Sequence, residues 1–402
     1  MQLFFFEDSQ YKNFHPLTLS RPVDDLRTGI LTIAQKWQYA LDTSSVNRIL
    51  RPEFHGVFEG GQVETGKSSL WLNSRYLPNE RLVEKITDLS EGQCLRHNET
   101  VIAAKVDSER STQWLNEGVP NFNTLFVLEV NDFSSITHLW DLFLMNGEQI
   151  ENDLTLIEAD HRGKAQISEH AVLEKAENIY IQNGAVIEAG CILNAEEGSI
   201  FIGENARVMA GSHIRGPVAI CEGTTVNMGA RIYGKTTIGP VCKVGGEINN
   251  SIFHSYSNKG HEGFMGNSVI GQWCNFGADT NTSNLKNNYS AIRITNWNNQ
   301  EEIETGQQFL GTVMGDHSKT AINTQLNTGT MCGVSCNIFS ADFPPKFIPS
   351  FSWVGSNVIQ TYQLNKALET MQAVMARRDV ELTEGYGQLM KHIFDNRNKR
   401  QI

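Results

Sequence analysis

The sequence predicts an α/β N-terminal domain, then a parallel β-helix of hexapeptide repeats, then a C-terminal helical segment. The first observation behind this is a period. From roughly Ile167 to Ile338 an aliphatic residue returns every sixth position, as in Ile220, Val226, Ile232, Ile238 and Val244, the mark of stacked β-helix coils. Second, the residue four places further on is small: Thr224, Ala230, Thr236 and Cys242 in that run. Third, the repeat is missing before about residue 155 and after about 340. Domains are therefore expected at 1–155, 165–340 and 341–402.

Size and composition agree with this division. A chain of 402 residues exceeds what one ordinary core holds. Hydrophobic content of 40% and charged content of 19% describe a soluble globular protein. The 33 Lys and Arg against 45 Asp and Glu leave a net charge of -12. That charge argues against nucleic-acid or anionic-membrane binding, but not against a phosphorylated small molecule held in a local basic pocket. The N-terminal stretch Met1-Gln2-Leu3-Phe4-Phe5-Phe6-Glu7-Asp8 lacks a basic region, so neither a signal peptide nor a membrane span is expected, and the expected location is cytoplasmic.

The N-terminal domain reads as strands alternating with helices. Leu3 to Phe6 is a buried-strand candidate, followed by a loop through Pro16 and Pro22. Asp25 to Tyr39 reads as a helix, with Leu26, Ile30, Ile33 and Trp37 on one face. Ser69 to Leu72 and Leu125 to Val130 read as strands, and Ile136 to Met145 as a helix.

Within the repeat region, roughly eight coils stacked at about 4.8 Å are expected to make a prism about 40 Å long. Cys191, Cys242, Cys274 and Cys336 fall on the small-residue position, where a thiol packs as a small apolar group. No CxxC pair occurs, so no metal site is expected. Two interruptions stand out. Residues 245–263 read as a polar loop pushed out of the solenoid, carrying His261 among Asn, Lys and Gly. Residues 283–312 are rich in Asn, and Tyr289 to Ile294 pairs with Gln307 to Val313 in the expected excursion. After the crossing through Pro344, Pro345 and Pro349, Leu364 to Met375 and Leu389 to Phe394 read as helices that cap the solenoid or pack on a neighbouring subunit. Histidine titrates near neutral pH, which makes His261 a candidate proton acceptor.

Two resemblances add to this reading. Pro16-Leu17-Thr18-Leu19-Ser20-Arg21-Pro22 resembles the start of sugar-1-phosphate nucleotidyltransferases, which implies a shortened nucleotidyltransferase-like N-terminal domain with Arg21 and Asn73 as nucleotide-binding candidates. The chain departs from that family in three ways. No glycine lies between Phe6 and Pro16, no lysine follows Pro22, and Asn73-Ser74-Arg75 stands where the family has its magnesium-binding Gly-Asp. Mg²⁺ is thus implied only for an active N-terminal domain.

Residues 226–284, with Gly-Gly-Glu-Ile, Ser-Asn-Lys-Gly-His-Glu-Gly-Phe and Ser-Asn-Leu-Lys-Asn-Asn-Tyr, resemble the acetyltransferase domain of the bifunctional UDP-N-acetylglucosamine pyrophosphorylase/glucosamine-1-phosphate acetyltransferase family. Arg231, Glu247, His261, Asn275 and Asn284 fall at that family's spacing. The resemblance implies a left-handed β-helix, a homotrimer, acetyl-CoA as cosubstrate and an amino-sugar phosphate as acceptor in UDP-N-acetylglucosamine biosynthesis. His261 would be the general base and Glu247 would orient it. Arg231, Asn249, Lys259, Phe264, Asn275, Asn284 and Lys286 would contact the acceptor, and Ala278 and Ile322 would line the acetyl-CoA channel. Asn249 stands where the family has a lysine, Phe264 where it has a tyrosine, and Ser290 where it has a later lysine. Lys243 and Lys259 are the nearby cations able to compensate.

Other functions stay open at this level. One is a nucleotidyltransferase whose β-helix serves assembly. A zinc enzyme of the γ-class carbonic anhydrase kind would need a His-x4-His pair, whereas His254 and His261 are separated by six residues. A non-catalytic scaffold is the last.

Overall fold

The computed structural model describes residues 1–159, 163–356 and 358–398. Both ordered regions expected from the sequence are present: an N-terminal α/β sheet domain and a parallel β-helix running from Gln166–Ile167 to Ser352–Val354. The expected junction at 156–164 falls partly on 160–162, and the C-terminal domain ends on 399–402; both stretches lie outside the described residues.

The N-terminal sheet has strand order Asn47–Arg48, Gln2–Phe6, Ser69–Asn73, Thr100–Val106, Gln93–His97, Phe126–Glu129. Gln2–Phe6 and Ser69–Asn73 run parallel and are buried along their length, as a non-alternating apolar strand covered on both faces must be. Leu3 and Phe5 join the core facing the β-helix, while Phe4 and Phe6 pack with Trp71 and Trp114 on the other side. Around the sheet lie α1 (Ile33–Ala40), α2 (Glu80–Thr87), α3 (Ser108–Glu117) and α4 (Asp141–Leu156).

Two helices differ from their expected bounds for identifiable reasons. The stretch Asp25 to Tyr39 becomes helical only at Ile33, because Thr32 forms a capping box with Gln35. Before it, Gly29 turns at φ +79°, and the amides of Ile30 and Leu31 donate to Asp153 Oδ2 at 2.7 and 3.0 Å instead of to a helix. The expected helix Ile136 to Met145 starts later, where Asp141 accepts from the amides of Thr137 and His138, and it runs on to Leu156. Gly147 inside it permits close packing, since a Cβ there would meet Lys235 Cγ at 2.9 Å.

The β-helix has three walls. The first runs from Val172–Glu174 to Phe264–Gly266, the second from Ile179–Ile181 to Phe347–Ile348 in nine strands, and the third starts at Gln166–Ile167. Nine strands in one wall exceed the eight coils expected. The predicted aliphatics line one continuous core that includes Cys191, Cys242, Cys274, Cys332 and Cys336, all free and buried. At about 1.5–3 kcal/mol per buried aliphatic, this stack holds the domain together.

The two domains share one core. Outward residues of the second wall, Ile252, Val269, Val313 and Met331, pack with Leu17, Val23, Leu26 and Leu142. Asn146 of α4 bonds Lys235 O at 2.9 Å and Thr237 Oγ1 at 3.0 Å. The fully buried Lys36–Asp153 pair ties α1 to α4.

Residues 283–312 do leave the solenoid, but as Arg293–Thr295 paired antiparallel with Glu302–Glu304. Thr312–Met314, expected inside that excursion, is instead a strand of the second wall. Of the C-terminal helices, α5 (Leu364–Ala376) matches its expected position, while α6 (Glu384–Asn396) starts five residues before the expected Leu389, where the Thr383 side chain caps it. They lie along the side of the prism against Phe54, Trp273, Val334 and Phe351, not over its end. The third wall is closed by Ile359–Thr361, antiparallel to Ser352–Val354.

Candidate active site

The stretch expected to leave the solenoid at 245–263 stays inside it. Glu247–Asn249, Ile252–Ser255 and Asn258–Lys259 are successive strands of the three walls. The count of six fails there for a local reason. Val226 and Val244 are partners in the third wall, and Arg231 and Glu247 are partners in the first. The corner between them therefore shrinks from Asn227–Ala230 to Gly245–Gly246. In the next coil Lys259 sits opposite Val244 and Phe264 opposite Glu247, so the corner returns to its former length as 260–263.

His261 consequently overhangs a corner two residues shorter than its own. Glycine is required in that notch. A Cβ on Gly245 would meet Gly260 O at 2.7 Å, and one on Gly246, at φ +67°, would meet His261 O at 2.8 Å. The step from Val244 to Ile248 carried this signal in the sequence, but it reads equally as a loop.

Above the notch the registers align the other expected residues. The Asp279 amide donates to Glu262 O at 3.0 Å, and the Asn323 amide donates to Ala278 O at 2.8 Å. His261, Ala278 and Ile322 thus follow one another up a single corner, about 4.8 Å per coil. His261 and Ile322 are exposed. Down the first wall, Arg231, Glu247 and Phe264 form an outward ladder. Arg231 Nη2 donates to Glu262 Oε2 at 2.8 Å, and its Nε lies 3.6 Å from Glu247 Oε2. These carboxylates hold its guanidinium above the ordinary arginine range, Glu262 first. Glu247 is therefore engaged by Arg231; among the described residues it makes no hydrogen bond to His261, contrary to the orienting role expected of it. Glu262, beside the histidine, was missed by sequence reasoning.

Amides gather next to this ladder. Asn249 faces Gly266, and Asn284 donates to Asn267 Oδ1 at 2.8 Å. Gly266 leaves room for Asn284 and Phe264, both of which a Cβ would strike. Met265 takes the core position and Phe264 faces outward, one residue off the expected repeat. Lys286 donates to Ala291 O at 2.8 Å within its own loop. Asn275 lies apart from this group, on the third wall between Asn258 and Lys319.

Lys259 corrects a further expectation. It is 1% exposed, in the core position between Val244 and Phe276, with Nζ donating to His261 O at 3.0 Å and Gly245 O at 3.1 Å. It braces the histidine turn from inside and offers no surface charge to an acceptor. Burial pushes its pKa down to about 8. Between about pH 8 and the ordinary lysine range the unfolded chain therefore binds more protons than the folded one, so the stability contribution of Lys259 rises with pH through that window. Lys259→Met is expected to flatten this rise, as read by chemical denaturation on either side of the window. An unchanged slope would count against a buried ammonium.

In the N-terminal domain the residues expected to bind nucleotide are enclosed. Arg21 is 1% exposed and bonds Asp316 at 2.5 Å and Asp25 at 3.1 Å. Burial opposes its charge, but Asp316 and Asp25 outweigh burial and hold its pKa up. Asn73 is fully buried and donates to Asp8 Oδ2 at 2.9 Å, while Arg75 meets the same carboxylate at 2.6 Å. Magnesium requires free oxygen ligands, and here the carboxylate is occupied by a guanidinium. Among the described residues no group of three or more His, Cys, Asp or Glu is arranged to hold a metal. These residues do not fit the ion.

Comparison with known proteins follows this division. Residues 3–162 match the sugar nucleotidyl transferase family model. Over 263 residues the chain is 25% identical to the bifunctional protein GlmU of Methanococcus aeolicus, covering 64% of this chain and 53% of that one. Over that stretch the chain is similar to GlmU. A GlmU from Methanocaldococcus jannaschii is 31% identical over 183 residues, 46% of this chain and 38% of that protein. The chain thus spans about half or less of the length of these GlmU relatives. A UDP-N-acetylglucosamine acyltransferase from Campylobacter jejuni aligns over 59% of this chain and all of its own, at 14% identity and a TM-score of 0.25, too low to carry weight. No helix among the described residues is long and apolar enough to cross a membrane.

Proposed function

We propose that this chain is an acyltransferase that moves the acetyl group of acetyl-CoA onto the amine of an amino-sugar phosphate, in the route to a UDP-sugar, with His261 as general base. The observation that carries the reading is the placement of exposed His261 over the Gly245–Gly246 notch, in one column with Ala278 and Ile322. The amine nitrogen attacks the thioester carbonyl, a C–N bond forms, and His261 takes the ammonium proton. The intermediate then expels the CoA thiolate, breaking the C–S bond, and the thiolate takes up a proton. Glu262 and Glu247 flank the turn and hold the Arg231 guanidinium beside it. Arg231 is the acceptor's phosphate contact, and Phe264, Asn249 and Asn284 flank the sugar.

The sugar nucleotidyl transferase match over 3–162 supports a second reading, nucleotidyl transfer. The Arg75–Asp8 pair opposes it, and in this proposal the N-terminal domain serves as a brace for the β-helix. Incubation with glucosamine-1-phosphate and acetyl-CoA is expected to release free thiol. No thiol release, together with nucleotide transfer from UTP to a sugar phosphate, would reverse the assignment.

With the second wall covered by the N-terminal domain, the site on the corner of the first and third walls stays open in a single chain. A second and third copy supply its missing side. Light scattering is expected to give about 135 kDa, three chains of 45.0 kDa; a monomer active in acetyl transfer would contradict the shared site.

A further inference from the structure

The positive charge missing at Asn249 reappears on another face. Outward positions of the third wall run Lys243, Asn258, Asn275, Lys319 on successive coils, about 4.8 Å apart. Across from them, at the C-terminal end of α5, stand Arg377 and Arg378. Together with Tyr256, Trp273 and Val374 these residues enclose a cavity of about 400 Å³.

The lining holds four cations and not one carboxylate, in a chain whose net charge is -12. Among the described residues none of the four has an ion-pair partner. Arg378 Nη2 donates to Asn258 Oδ1 at 3.0 Å, and Lys319 Nζ donates to His317 O at 2.9 Å, so two of the cations are already held in position. One wall of the cavity is rigid: Tyr256 stacks on Trp273 with centroids 4.2 Å apart, and Trp273 stacks in turn on His317. Four like charges converging on one polar cavity repel one another unless an anion joins them.

We propose that this cavity between the third wall and α5 is a binding site for a diphosphate ester. Lys243 and Lys319, three rungs apart, straddle the two phosphoryl groups, and Arg377 and Arg378 supply forked donors suited to phosphate oxygens. Asn258 and Asn275 donate amide hydrogens between them. The site gives the two arginines that end α5 a common ligand. It goes beyond the acetyl-transfer reading and does not depend on it, because it concerns binding alone. Two sources share this chemistry, the diphosphate of CoA and that of a nucleotide.

The test is calorimetric titration of the full chain with inorganic pyrophosphate at low salt. One site per chain is expected, weakening as salt rises. The double variant Lys243→Gln/Arg378→Gln is expected to lose affinity by roughly tenfold or more, with an unchanged melting temperature. Arg215→Gln, which removes a charge on the first wall, is expected to leave binding intact. Displacement of pyrophosphate by CoA but not UDP supports the site with the acyl donor as its source; displacement by UDP but not CoA supports it with a nucleotide. No pyrophosphate binding, displacement by neither compound, or equal affinity in the double variant overturns the proposal.

Discussion

His261→Ala is expected to lower acetyl transfer by roughly 10²–10⁴-fold, the range for removing a positioned general base, with no measurable loss of stability. The histidine side chain is exposed and takes part in no hydrogen bond among the described residues. The turn that carries it is held by its main chain: His261 O accepts from Lys259, and the Glu247 amide donates to Gly263 O at 3.1 Å. An alanine keeps all of those contacts. Steady-state thiol release compared with thermal melting separates the two effects. Turnover within a few-fold of the parent would reject His261 as the base, whereas lost activity with a collapsed melting temperature would mark a structural residue.

Asp316→Ala is expected to have the largest effect on stability. Its carboxylate accepts from Arg21, from Ser20 Oγ at 2.7 Å and from the Gln272 amide at 2.7 Å. The pair is 2% and 1% exposed, so removing one partner leaves a buried guanidinium with only Asp25 to answer it. Breaking such a pair costs about 3–5 kcal/mol. The double change Arg21→Met/Asp316→Leu removes both charges and is expected to recover most of that loss. Denaturant midpoints of the three variants decide it. A loss below about 1 kcal/mol for Asp316→Ala would mean that water reaches the pair and that the two domains are not sealed together.

The β-helix was legible because its core repeats. An aliphatic every sixth residue with a small residue four later fits neither the 3.6-residue period of a helix nor the alternation of a lone strand, and most of the cysteines obeyed the rule. Legibility failed where one coil shortens. Val244 to Ile248 is a four-residue step, which a strict period takes for the start of a loop, with Phe264 in the core and Lys259 outside. The structure exchanges them, with Met265 and Lys259 inward and Phe264 outward. Polar partners were harder still. Glu247 faces Arg231 across one coil, and Asp316 reaches Arg21 from 295 residues away. No local pattern encodes such pairs. The helix starting at Ile33 and not Asp25 has the same origin, since Asp153, far along the chain, takes the amides that a longer helix needed.

The shared core between the N-terminal domain and the second wall has a consequence for how the chain is made. Residues such as Leu17, Val23 and Leu26 leave the ribosome early, yet their packing partners Val313 and Met331 come last. At about 5–20 residues per second, some 15–60 seconds pass between Arg21 and the carboxylate that neutralises it. During that interval the apolar face that will meet the second wall stands in water, and Arg21 has only Asp25 as a partner, while the coils close one by one behind them. The nascent N-terminal domain therefore keeps this face uncovered until the late coils of the solenoid arrive.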